Sequence, residues 1–111
     1  MAFADVTLHP GDVVYATLDP TRGTEQRGTR PVVVISVVAM GPRVIVVPMT
    51  TRRRDWPTRI HVSLHGVDSD AMCDQVRAVD VRRLADDLYG TIDAGTLAKI
   101  RRTVARLIGI Y

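Results

Sequence analysis

The chain has 111 residues, 46% hydrophobic and 24% charged, a length that holds one domain and a balance that excludes a mostly disordered chain. Its longest apolar runs, such as Val44–Val47, are far too short to cross a bilayer as a helix. The opening Met1-Ala2-Phe3-Ala4-Asp5 has no basic stretch and no long apolar stretch, so a cytoplasmic protein without a secretory signal is expected.

The lone cysteine, Cys73, excludes an internal disulfide and a Cys-based zinc finger. Lys and Arg total 15 against 12 Asp and Glu, for a net charge of +3, and Lys99 is the only lysine. Arginine grips phosphate with paired donors, stacks on bases and keeps its charge, which favours a nucleic-acid partner. A GC-rich coding bias produces the same excess of arginine. Aromatics make up only 5%, which argues against a broad base-stacking platform.

Residues 1–10 read as a short leader to a single domain spanning 1–111. Val13–Leu18 suits a strand, stopped by Asp19-Pro20. Residues 20–30 are polar, carry two glycines and read as a loop. Pro31 opens the β-branched run Val32–Val38, predicted to be a strand buried on both faces. Gly41-Pro42-Arg43 reads as a hairpin turn and Val44–Met49 as the returning strand. Residues 50–58 form a second polar loop. Ile60, Val62 and Leu64 alternate with Arg59, His61 and Ser63, the pattern of a half-exposed strand. Gly66–Asp70 reads as a turn, and Ala71–Val79 as one more strand.

The period then changes. Leu97, Ile100, Val104, Leu107 and Ile108 fall on one face of a helix, with Asp93 as its N-cap and Gly109 at its end. The fold class expected is mainly β (α+β): a small, strongly bent sheet or barrel with a C-terminal amphipathic helix packed on it.

There is no Gly-rich phosphate loop. His61 and His65 lack a third ligand nearby and read as surface histidines, so no metal site is expected. Cys73 reads as a buried structural thiol. What remains is a set of polar residues beside strands: Gly23–Pro31, Pro48–Thr51 and Cys73–Arg77. A guanidinium, a hydroxyl and a carboxylate are the minimum for cutting RNA without a metal, because RNA brings its own 2′-OH nucleophile.

Three blocks carry a resemblance: Gly23-Thr24-Glu25-Gln26-Arg27-Gly28-Thr29-Arg30-Pro31-Val32-Val33-Val34-Ile35-Ser36, Val46-Val47-Pro48-Met49-Thr50, and Cys73-Asp74-Gln75-Val76-Arg77-Ala78-Val79-Asp80. In order and spacing the chain resembles the MazF/PemK (Kid) family of toxin endoribonucleases, from about Gly11 to the end of the helix. The resemblance implies an SH3-like (CcdB/PemK-type) barrel of about five or six strands with a C-terminal helix, assembled as a homodimer. It implies sequence-specific, ribosome-independent cleavage of single-stranded RNA, leaving a 2′,3′-cyclic phosphate and a 5′-OH. No metal or cofactor is implied, and the implied partner is a MazE-like antitoxin.

By the same resemblance, Arg30 is the catalytic arginine, stabilising the phosphorane and protonating the leaving oxygen. Thr50 orients the scissile phosphate, with Thr51 as a near-equal alternative. Asp74 matches a proposed general base and equally suits a structural hydrogen bond. Glu25 either holds Arg30 or accepts the 2′-OH proton, and with Thr24, Gln26 and Arg27 it lines the RNA groove. Gln75 contacts a base or braces a loop, and Arg77 is more structural. Arg52, Arg53 and Arg54 neutralise phosphates while Trp56 stacks on a base; alternatively, the loop is solvated and Trp56 is pinned to the barrel or to the dimer partner.

The sequence departs from the family in four places, one of them the first loop, where Arg22 and Arg27 make it more basic than in some relatives. Thr24 stands where some Kid-like members carry His, and Met72 where some carry Arg, which puts more of the acid role on Arg30. Val37–Met40 replaces polar residues that include an Asn. Two other readings remain: a CcdB-like gyrase poison, although the chain ends in Tyr111 without a terminal Trp, and a non-catalytic RNA-binding barrel.

Overall fold

The computed structural model describes residues 8–18, 23, 28–36 and 41–111. Seven strands precede one helix: β1 Asp12–Thr17, β2 Thr29–Val34, β3 Arg43–Thr50, β4 Arg59–Leu64, β5 Val67–Met72, β6 Arg77–Asp80, β7 Leu84–Thr91 and α1 Ala94–Leu107. Every pairing is antiparallel, in the order β4-β5-β3-β2-β1-β7, and β6 also pairs with β3.

β3 is the spine of this sheet. Its first half pairs with β6 (Val44↔Val79), its middle with β2 (Val33↔Val47), and its last two residues with β5 (Met49↔Ala71, Thr50↔Asp70). Changing partners along one strand bends the sheet into a half-barrel. This is the expected mainly-β fold with a C-terminal helix, with seven strands among the described residues where about five or six were expected.

The β-branched runs explain the burial. In a strand, successive side chains point to opposite faces. Val14, Val32, Val34, Val44 and Val46 enter one apolar cluster with Leu18, Val79 and Leu84. Val13, Val33 and Val47 enter a second with Met49, Ala71, Cys73, Ile92 and Ile100. Val32–Val34 are therefore buried on both faces, as predicted; Val37 and Val38 lie outside the described residues. α1 covers the second cluster through Ile100, Leu97 and Val104.

Both helix ends follow the sequence. Asp93 Oδ1 accepts the Thr96 N–H at 2.7 Å, which holds that carboxyl below its ordinary range. Gly109, at φ +89°, donates its N–H to Arg106 O at 3.1 Å. Arg101 donates from Nη2 (2.8 Å) and Nε (3.1 Å) to Ile35 O, tying the helix to the end of β2. Leu107 and Ile108, expected on the buried face, are instead exposed; the helix packs on the core through Leu97, Ile100 and Val104 only.

Two other expectations are corrected, and one strand was not anticipated. Gly66–Asp70 is not a turn: the turn is the pair His65-Gly66, both at positive φ, and Val67–Met72 is β5, with Val67 opposite Leu64. Ala71–Val79 is not one strand, because a 3-10 turn at Cys73–Gln75 separates β5 from β6. β7 had no clear sequence signal. It carries Asp86, Asp87 and Gly90, and register shifts against β1 break the two-residue alternation a strand normally shows. Among the described residues no helix is long and apolar enough to cross a membrane.

Candidate active site

Arg30 sits on β2 opposite Ala16, and Pro31 opposite Tyr15. β2 and β3 are paired at Val32↔Pro48; carried two residues on, this register sets Arg30 level with Thr50. Both line one cavity of about 360 Å³. Thr29, Arg30 and Pro31 form its β2 wall, and Met49, Thr50 and Thr51 its β3 wall. Leu64, Val67 and Ser69 come from the β4–β5 hairpin, and Tyr15 and Tyr89 complete it.

Arg30 is partly exposed, while Thr50 is buried to 9% exposure and Thr51 is exposed. Thr50 Oγ1 accepts the Arg52 N–H at 3.1 Å. That bond uses an oxygen lone pair and leaves the O–H to donate. The same bond aims the hydroxyl and turns the chain into the next loop.

The aromatic wall was not read from the sequence. The Tyr15 and Tyr89 rings meet edge to face at 5.5 Å, and His65 meets Tyr89 in the same way at 4.9 Å. His65 also bonds Tyr89 O through Nε2. Among the described residues it is the only non-glycine at positive φ (53°), in the left-handed region that glycine favours and a histidine enters at some cost. Three rings suffice for a local stacking surface even in a chain with few aromatics. Tyr15 was the available clue, a large ring at an exposed position of a strand otherwise rich in valine and alanine.

The arginine loop is organised by Asp70, which is 2% exposed and also went unread. Its carboxylate accepts the Arg54 N–H at 2.7 Å and Arg53 Nε at 3.1 Å, with Arg59 Nη1 at 3.5 Å. Burial pushes this carboxyl up, but those two hydrogen bonds and the Arg53 and Arg59 charges prevail and hold it below its ordinary range. Arg59 lies over the Trp56 ring at 4.7 Å from its centroid and donates to Arg52 O at 3.2 Å. Trp56 is nonetheless 51% exposed.

Asp74 and Gln75 lie on the 3-10 turn between β5 and β6, Asp74 exposed and Gln75 half-buried, and neither lines the cavity. Arg77 Nη1 donates to Leu18 O at 3.2 Å, bracing β6 against the end of β1. Thr24, Glu25, Gln26 and Arg27 lie outside the described residues; of the flanking residues, Leu18 donates its N–H to Gly28 O at 2.9 Å.

Cys73 is fully buried, and burial followed by the Asp74 charge pushes its thiol up to about 11, so it is a poor nucleophile. His61 pairs with Asp68 at 2.9 Å on the surface. Among the described residues no cluster of His, Cys, Asp or Glu could hold a metal ion.

A guanidinium abreast of a threonine hydroxyl, in a cavity walled by two tyrosines, is a set of groups with the chemistry to hold a phosphodiester. The PemK-like, MazF-like toxin family of type II toxin–antitoxin systems matches residues 9–108. Endoribonuclease toxin MazF of Escherichia coli (strain K12) is 32% identical over 102 residues, covering 89% of this chain and 92% of that protein. The crystal structure of MazF from Deinococcus radiodurans superposes with a TM-score of 0.87 at 27% identity, covering 96% of this chain and all of that one. A MazE–MazF structure from Deinococcus radiodurans gives 0.75 at 26% identity, covering 91% and 95%. The chain belongs to the MazF/PemK family of toxin endoribonucleases.

Proposed function

We propose that this toxin cuts single-stranded RNA at a short sequence by attack of the RNA's own 2′-OH, with no metal or cofactor. The observation that carries the reading is the convergence of Arg30 and Thr50 in one cavity. O2′ bonds to phosphorus as its proton passes to a carboxylate. The P–O5′ bond breaks and O5′ takes up a proton. The products are a 2′,3′-cyclic phosphate and a 5′-OH.

Arg30 meets the charge that builds on the phosphoryl oxygens and donates toward O5′. The Thr50 O–H holds a non-bridging oxygen in place for in-line attack. Glu25 is assigned as the base in preference to Asp74, whose side chain does not line the cavity. Tyr15 and Tyr89 flank the base beside the cut, and the Arg52–Trp56 loop receives the RNA beyond it. Thr51 lies at the cavity rim, and Thr24, Gln26, Arg27 and Gln75 are assigned to the flanking groove.

The partners follow from surface chemistry. Leu107, Ile108, Ile110 and Tyr111 expose a run of apolar side chains at the end of α1, suited to a homodimer contact. The exposed Arg52 and Arg54 attract the acidic tail of a MazE-like antitoxin, which blocks RNA by occupying the same groove. The protein acts in the cytoplasm, where its RNA substrate is made.

The test is to incubate the purified protein with a long, weakly structured RNA in EDTA and analyse the ends. The reading predicts cuts at a recurrent short sequence with cyclic phosphate and 5′-OH termini. Binding without cutting would leave an RNA-binding barrel, and gyrase inhibition without cutting would favour a CcdB-like mode.

A further inference from the structure

Asp70 takes no part in the chemistry just described, yet it is buried at the border of the site. It stands opposite Thr50 in the β3–β5 ladder. A buried carboxylate is costly unless donors surround it, and this one draws two of its donors, the Arg54 N–H and Arg53 Nε, from the β3–β4 loop and a third, the Arg59 guanidinium, from the first residue of β4. Thr50 Oγ1 fixes the start of that loop through the Arg52 N–H. Arg59 fixes its end, donating its N–H to Trp56 O at 3.0 Å while its guanidinium covers the Trp56 ring.

Without a central carboxylate, Arg52, Arg53, Arg54 and Arg59 would repel one another and the loop would lose its anchor. With it, Arg53 and Arg59 are engaged inward. Arg52 and Arg54 are exposed beside a half-exposed indole, an arrangement suited to one phosphate and one unpaired base.

We infer that Asp70 is a positioning residue for RNA cleavage, holding the Arg52–Trp56 arch next to Thr50 so that it grips RNA beyond the scissile bond. This rests on the RNA-cleaving reading above. The grip acts on RNA outside the reacting atoms, so its loss appears in KM, whereas loss of Arg30 appears in kcat.

Trp56 is the only tryptophan, so its fluorescence reports on the arch alone. Asp70→Asn keeps the size of the side chain and removes its charge. The expected result is a native far-UV circular dichroism spectrum, lower Trp56 anisotropy, and a KM for a long single-stranded RNA raised about tenfold with kcat within about threefold. Combined with Trp56→Ala, which by itself raises KM similarly, it adds little further, because both act through one arch. Arg53→Gln breaks the anchor from its exposed side and gives the same pattern if Asp70→Asn does not fold.

Unchanged KM in the presence of altered Trp56 anisotropy would overturn the inference, as would strictly additive effects or a loss confined to kcat. A wild-type protein that cuts no RNA would sink the functional reading itself, and the inference with it.

Discussion

Gly90 of β7 lies directly beneath Leu64 of the β4–β5 hairpin: a Cβ at position 90 would come within 2.9 Å of Leu64 Cδ2 and 3.0 Å of His65 Nε2. This bare backbone lets the hairpin tip reach β7, where His65 bonds Tyr89 O. The contact brings Leu64 and Val67 against the tyrosine wall of the cavity. Gly90→Ala is expected to cost only about 1 kcal/mol in denaturant unfolding, because side-chain ends can give way. The same change displaces His65 and opens the wall, so KM for RNA rises more than stability falls.

The two adjacent threonines separate cleanly. Thr50→Val keeps the volume but removes both the acceptor for the Arg52 N–H and the donor toward phosphate. Losing one such preorganised donor lowers kcat by about 10²- to 10³-fold, while Thr50→Ser retains most activity. Thr51→Ala leaves kcat within a few-fold, since the exposed Thr51 only rims the cavity. Steady-state cleavage of one RNA by the three variants decides the assignment.

Tyr15→Ala and Tyr89→Ala each remove a ring from the cavity. Base–aromatic stacking contributes about 1–3 kcal/mol, so each variant weakens RNA binding by roughly 5- to 150-fold. Tyr89→Ala is the worse of the two, because its ring contacts both Tyr15 and His65. Affinity for an uncleavable 2′-deoxy oligonucleotide measures this without interference from the chemistry.

Stability narrows at both ends of the pH scale. The Arg82 hydrogen bonds hold the Asp80 carboxyl at about 2, and Asp70 and Asp93 are lowered too. A depressed carboxyl contributes stability above its unfolded value near pH 4 and loses it as pH falls through the folded value. The melting temperature therefore drops between about pH 4 and pH 2, and Asp80→Asn flattens the lower part of that slope. Cys73 is raised to about 11, so its contribution is complete below its unfolded value and fades as pH climbs toward 11. In the native protein the thiol resists an aromatic disulfide reagent and reacts only on unfolding.

The legible parts of the sequence were those with an unbroken period. The valine runs of β2 and β3, the alternation of β4 and the capped face of α1 each carry a local signal that the packing reinforces. Arg30 and Thr50 were read from the motifs that place them at strand ends. β7 was hidden by bulges and acidic residues, and β5 by Asp68, Ser69 and Asp70, which resemble a loop until the ladder buries the last two. The Asp70 anchor and the Tyr15–Tyr89–His65 cluster join residues far apart in sequence, and no local pattern reports such contacts. Asp74, placed in the site by its motif, stands on a turn outside the cavity lining.

The central claim is that the Arg30 guanidinium stabilises the phosphorane, and Arg30→Ala tests it most directly. Single-turnover cleavage of one RNA and affinity for its 2′-deoxy analogue are to be measured on the same preparation, with far-UV circular dichroism as the folding control. The account predicts a cleavage rate at least about 10³-fold lower with affinity within about tenfold. A folded Arg30→Ala protein that still cuts RNA at close to the wild-type rate would contradict it.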